Sequence, residues 1–156
     1  MSSFEMRFDL SGLKTAIGGI ERKLEAAIRP AAQAGAQVLV DAVHSNLSRI
    51  GQKTGNLAGS IYQVYSRDNS DKYKVTYHIS WNTKKAPHGH LLEFGYMQRW
   101  RVVMLPDGTF FTDKKHPLAS PKQIAARPFV RPAASKLPLA VAAAQAKLAE
   151  VLGNDV

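Results

Sequence analysis

The hydrophobic positions of this chain change period twice along its length. Phe4, Met6 and Phe8 alternate with Glu5, Arg7 and Asp9, the two-residue repeat of a half-exposed strand. Ser11 then stands where it can cap a helix, and Leu13, Ile17, Ile20, Leu24 and Ile28 follow 3.6-residue spacing. Gly18 and Gly19 weaken that helix by on the order of 1 kcal/mol each relative to Ala. Pro30 suits a first helical turn better than a helix interior, so a second helix is predicted to start there. Leu39, Val40, Val43, Leu47 and Ile50 give it one buried face, and Gly51 supplies a stop. Alanines at 31, 32, 34 and 36 would let another backbone come close.

In the middle the period falls to two. Tyr73, Val75, Tyr77, Ile79 and Trp81 alternate with polar residues from Lys72 to Asn82, predicting a strand with one face inward. Its partner is Ile61–Arg67, joined across the polar turn Asp68 to Asp71. A second hairpin is predicted from Arg99–Leu105 to Thr109–Thr112, because Pro106-Asp107-Gly108 is strong turn chemistry. Between the hairpins, Pro87 to Phe94 reads as a short helix ending at Gly95. Residues 113–128 read as a loop punctuated by Pro117 and Pro121, a length that suggests function or ordering by a partner. The last segment, 129–153, is a helix with Val141, Ala144, Leu148 and Leu152 on one side; Pro138 either begins it or kinks a helix started at Pro132. The expected class is α+β: N-terminal helices and a C-terminal helix packed on a small, mainly antiparallel sheet of two hairpins. The 156 residues fit a single domain, with a strand and two helices over 1–51 and a sheet region over 52–112.

Composition narrows the function more than the fold. No cysteine is present, which excludes disulfides and cysteine-ligated metals. No stretch approaches the apolar length of a membrane span, and Met1 to Glu5 does not read as a secretion signal. The net charge is +9, with ten Lys/Arg against Glu93, Asp107 and Asp113 between Lys84 and Lys136. Residues 1–50 are close to neutral. A basic central region suits nucleic acid, an anionic membrane or an acidic protein surface, or is simply solvated lysine. Lys84, Lys85, Arg99, Arg101, Lys114 and Lys115 are the cations placed to make such contacts, and Trp100 lies between two arginines.

Three short motifs carry what chemistry the sequence offers. Thr54-Gly55-Asn56-Leu57-Ala58-Gly59-Ser60-Ile61 lacks the closing Gly-Lys-Ser/Thr of a phosphate loop, and reads as a capped turn anchored by Leu57 and Ile61. In His88-Gly89-His90-Leu91-Leu92-Glu93-Phe94-Gly95, a helix would set His90 and Glu93 on one face, with His88 as a third metal ligand. The other histidines are scattered, and the alternative is exposed histidines with Glu93 paired locally to an arginine. No Ser/His/Asp or Cys/His set is readable, and neither an enzymatic activity nor a cofactor is expected; a metal-dependent hydrolase using His88, His90 and Glu93 is the least favoured alternative, behind a sequence-nonspecific nucleic-acid-binding protein. Ala126-Arg127-Pro128-Phe129-Val130-Arg131-Pro132-Ala133 alternates prolines with cations around one aromatic. It would bury Phe129 while turning two guanidinium groups to one side.

Taken in order, the three motifs resemble those of the tailed-bacteriophage neck and tail-completion family, also described as minor tail components. The matching positions are Thr54, Gly55, Leu57, Ser60 and Ile61; then Glu93, Phe94 and Gly95; then Ala126 to Phe129 and Arg131 to Ala133. His88-Gly89-His90 departs from the family's usual approach to the short helix. The resemblance implies a non-enzymatic virion protein that forms a ring, commonly of six copies, at the head–tail junction. Its partners would be further copies of itself, the head-side connector or stopper and the tail tube, with DNA passing through the lumen. Assembly would take place in the host cytoplasm. Thr54, Leu57, Glu93, Phe94, Arg127, Phe129 and Arg131 would then be the candidates for subunit or ring contacts.

Overall fold

The computed structural model of the protein describes residues 4–9, 21–51 and 55–153. Among these, five strands and three helices follow one another as β1 (Phe4–Asp9), α1 (Glu21–Ile50), β2 (Ile61–Tyr65), β3 (Lys74–Trp81), α2 (Gly89–Phe94), β4 (Tyr96–Met104), β5 (Phe110–Ile124) and α3 (Leu137–Gly153). The strands form two antiparallel sheets, one of order β1-β3-β2 and one of β4-β5. The α+β expectation therefore holds. The region of the expected first helix from Ser11 to Ile20 lies outside the described residues.

β3 sits at the centre of the first sheet because it is the strand with most to bury. Val75, Tyr77, Ile79 and Trp81 all lie in the core. β2 pairs with it as predicted, Ile61 opposite Trp81 and Tyr65 opposite Tyr77. β1 closes the other side with Phe4 opposite Ile79, which places Met6 inside. α1 crosses this sheet, and its residues Leu39, Val43 and Leu47 are buried with those of β3.

α1 is one continuous helix from Glu21 to Ile50, and Pro30 lies inside it, so the predicted helix start at Pro30 is incorrect. Leu24, Ala27, Ile28, Ala31 and Ala32 are buried on one face across that position. Packing of this face outweighs the lost hydrogen bond and the ring clash, about 3 kcal/mol together. α3 packs along α1 through small residues. A Cβ on Gly35 would come within 2.8 Å of the Ala140 carbonyl oxygen and 3.3 Å of Ala144 Cβ. The close approach expected from the alanine run is thus made, with Ala140 and Ala144 as the partners. Val141, expected on the inner side, is instead exposed, because it lies one residue (about 100°) round the helix from buried Ala140.

The largest departure concerns residues 113–124. They continue β5, which runs fifteen residues from Phe110, where a loop was expected. The register passes from Arg101 opposite Asp113 to Trp100 opposite Pro117 to Gln98 opposite Lys122, so β5 gains residues on β4 at two irregularities. Pro117 and Pro121, which suggest a loop, fall in this irregular stretch, Pro117 opposite Trp100 between the two register shifts, the kind of position at which a strand tolerates proline.

Candidate functional site

The second and third motifs form one structural unit. α2 ends at Gly95, whose φ of 72° is left-handed and whose N–H donates to Leu91 O. β4 leaves from there, turns at Gly108, and β5 brings the chain back against the same short helix. The Arg127 N–H donates to Leu92 O at 2.7 Å. A Cβ on Gly95 would lie 2.6 Å from Ile124 O and 2.8 Å from Ala126 N, so only glycine lets outgoing and returning strands meet here.

Glu93 locks this junction. Its side chain is wholly buried. One carboxylate oxygen accepts the N–H groups of Phe129 and Val130 at 2.8 and 2.9 Å. The other accepts the Arg131 N–H at 3.1 Å and its Nε at 3.0 Å. Arg131 Nη2 donates to the Glu93 carbonyl, and its guanidinium lies 5.1 Å from the Phe94 ring centroid. The three N–H groups belong to the start of the 3-10 turn Arg131–Lys136 that leads into α3, donors that a helix beginning leaves without partners. A carboxylate there is favoured by both hydrogen bonding and the local dipole. Burial raises the Glu93 pKa, but the N–H groups of Val130, Phe129 and Arg131 and the Arg131 side chain outweigh it, holding the group below the usual carboxylate value. Asn46 of α1 donates to Phe129 O at 3.0 Å, and Phe129 packs edge-on against Trp81 at 5.4 Å. The junction is thereby fixed to both the helix and the sheet.

From this root β4 and β5 project as an arm. Nine residues of β4 at ~3.4 Å each give it a length of roughly 30 Å. The two strands pair extensively with each other and touch other elements little. Met97, Trp100, Val102, Met104, Leu105, Phe110 and Phe111 on the arm are all 38–65 % exposed. In the tip register, Val102 opposes Thr112 and Met104 opposes Phe110, so these lie on one face with Trp100. That face carries no charge from Trp100 to Thr112, whereas Arg101 and Asp113 oppose each other on the other side. A cleft of about 650 Å³ beside this face is lined by His88, Leu91, Arg99, Trp100, Val102 and Phe110 among others.

A family model described as "Bacteriophage HK97-gp10, putative tail-component" matches residues 12–95, more than half of the chain. The chain belongs to this family of phage tail components. No curated protein and no solved structure matches it. The HK97 gp10-like match ends at Gly95, the foot of the arm, and it includes the first two motifs. The third motif lies beyond it yet is bonded directly to the second. As a member of this family the protein is a structural component of the phage tail, and hence of the virion. No described helix is long and apolar enough to cross a membrane.

The structure sorts the residues singled out from the sequence. Leu57, Glu93 and Phe129 are buried within the chain, so the expectation that they make subunit or ring contacts is incorrect for their side chains. Arg131 is half exposed but committed to Glu93, while Phe94 and Arg127 are exposed. Thr54 lies outside the described residues. The idea that His90 and Glu93 share a face fails, since His88 and His90 are exposed and Glu93 points into the core. Among the described residues no three His, Cys, Asp or Glu side chains come together as a metal site. Glu93 does pair with an arginine, but not the local one expected: the partner, Arg131, is 38 residues away. Arg99, Arg101, Lys114 and Lys115 are gathered on the arm; Lys84 and Lys85 sit apart, their N–H groups donating to Asn82 Oδ1. Sequence reasoning missed Asn46 and the exposed Phe110-Phe111 pair. The pair was legible as two aromatics beside a Pro-Asp-Gly turn, where a solvated hairpin tip is polar.

Proposed function

We infer that the protein is a non-enzymatic assembly protein that forms a ring, six copies in the simplest case, at the head–tail junction. In that position it completes the tail and bridges to the head-side connector or stopper. One observation carries this reading beyond the family: a roughly 30 Å arm with an exposed apolar face. A two-stranded hairpin is marginal in water without a further layer, and contiguous apolar surface of this kind marks protein contact. The Glu93 junction fits the same role. It holds the arm root rigid, so that the direction of the arm is set before assembly.

The test is electron microscopy of particles carrying a label on this chain. A ring of density between head and tail is expected, and loss of the protein should leave heads and tails unjoined. Label along the tail shaft or at its distal tip would overturn the junction assignment.

Clustering of Arg99, Arg101, Lys114 and Lys115 on one hairpin supports a second reading, contact with DNA as it passes. It is tested by fluorescence anisotropy of labelled duplex DNA with the isolated protein. A titration that vanishes between low and physiological salt is the expected result if the cations meet phosphate.

A further inference from the structure

We propose that the tip of the β4–β5 arm, residues 102–112, inserts into an apolar socket rimmed by carboxylates on a different virion protein. The inference rests on the reading of the arm as an assembly surface and names the chemistry of what it meets.

The tip is apolar on both sides of the ribbon. Met104 opposes Phe110 on one face, and Val103 opposes Phe111 on the other. Met104, Phe110 and Phe111 are each more than half exposed, and exposed Leu105 carries the apolar surface into the turn. A hairpin that docks flat shows one apolar face and one polar face. Apolar side chains on both faces are covered together only when the partner surrounds the hairpin.

Charge then narrows the partner. From Val102 to Thr112 the sequence holds no Lys or Arg, and the cations begin immediately behind: Arg99 and Arg101 on β4, Lys114 and Lys115 on β5. Asp113 faces Arg101 and is hydrogen-bonded to His116. Arg99, Lys114 and Lys115 have no ion-pair partner among the described residues. A collar of unpaired cations behind an apolar tip is complementary to an apolar cavity with an acidic mouth.

Three other occupants match this surface less well. The phosphates of duplex DNA would engage the collar and leave the tip in water. A bilayer would have to admit Asp107, the carboxylate of the turn itself, which accepts the Thr109 hydroxyl and N–H and is held below the usual carboxylate range by them. A protein cavity can meet that carboxylate with a donor of its own. A second copy brings 21 Lys/Arg against 12 Asp/Glu, and its Glu25, Glu93, Asp113 and Glu150 are already engaged.

Two cross-links test the socket and its rim. Native particles are treated with a zero-length carbodiimide, which joins a lysine amine to a carboxylate only where the two touch. The expected product links Lys114 or Lys115 to an Asp or Glu of a different virion protein, mapped by peptide mass spectrometry. In a second set of particles, Phe110 is replaced by photoreactive benzoylphenylalanine, and irradiation should place its adduct on an apolar segment of that same protein. Lys114→Glu with Lys115→Glu should lower the photoadduct yield about tenfold, with circular dichroism unchanged because both side chains are exposed. An adduct on a second copy, on DNA or on lipid overturns the proposal. So do cross-links to two unrelated proteins, an unchanged photoadduct yield, or no product from native particles. Images of labelled particles locate the chain independently, so an error in its position at the junction is distinguished from an error in what the arm meets.

Discussion

Glu93 shows how much one side chain can hold together. Replacing it with alanine leaves three N–H donors and Arg131 Nε without their acceptor. The expected loss is roughly 3–5 kcal/mol, read as a shift in urea midpoint at constant slope. Glu93→Gln should also destabilise, because its amide N–H₂ would face donors. The pH dependence has a definite sign. Glu93 titrates lower in the folded chain than in the unfolded one, so its contribution is complete above the ordinary value of 4.5 and is lost as pH falls through the folded value. Thermal unfolding of the wild type should therefore weaken steeply in that acid window, and Glu93→Gln should show a shallower slope there. Gly95→Ala, which forces a left-handed backbone and a clash with Ile124 O, should cost about 1–3 kcal/mol.

Among the elements, α1 and the arm are opposites. α1 is pinned on two sides, by the sheet and by α3, and tolerates a proline in its middle. Gly35→Val would wedge α3 away from it, since a Cβ alone already meets Ala140 O at 2.8 Å. Overpacking of this kind is expected to cost about 1–3 kcal/mol, measured by thermal unfolding. Among the described residues the arm has no second layer. Its amides in the free protein should exchange with deuterium far faster than those of β3, and become protected in assembled particles. Equal protection of the arm in both states would mean that nothing covers it on assembly. Met104→Ser and Phe110→Ser should leave the stability of the isolated chain within about 0.5 kcal/mol, as for other surface changes.

For the molecule as a whole, the described residues divide into a core that fixes the arm root and an arm that pairs mainly with itself. The arm, which touches the rest of the described chain little, carries Arg99, Arg101, Lys114, Lys115 and Lys122 against Asp107 and Asp113. If these cations meet phosphate, replacing Arg99, Arg101, Lys114 and Lys115 by Gln should flatten the salt dependence of DNA anisotropy. The slope should fall by about one unit for each phosphate no longer neutralised. An unchanged slope would assign the cations to solubility or to an acidic protein surface.

Local periodicity was enough to read the strands of the first sheet, the short helix ending at Gly95 and the turn at Gly108. In each, a side chain's neighbours along the chain dictate its environment. It was not enough for Pro30, where burial of residues on both sides outweighs a local helix breaker, or for 113–124, where pairing with β4 overrides a proline-marked stretch. It also could not show that Glu93 and the Phe129–Arg131 backbone are one unit. That bond joins groups more than thirty-five residues apart, and the need for it arises only once folding has removed water from both. Sequence spacing records which groups are available; burial decides which of them must satisfy one another.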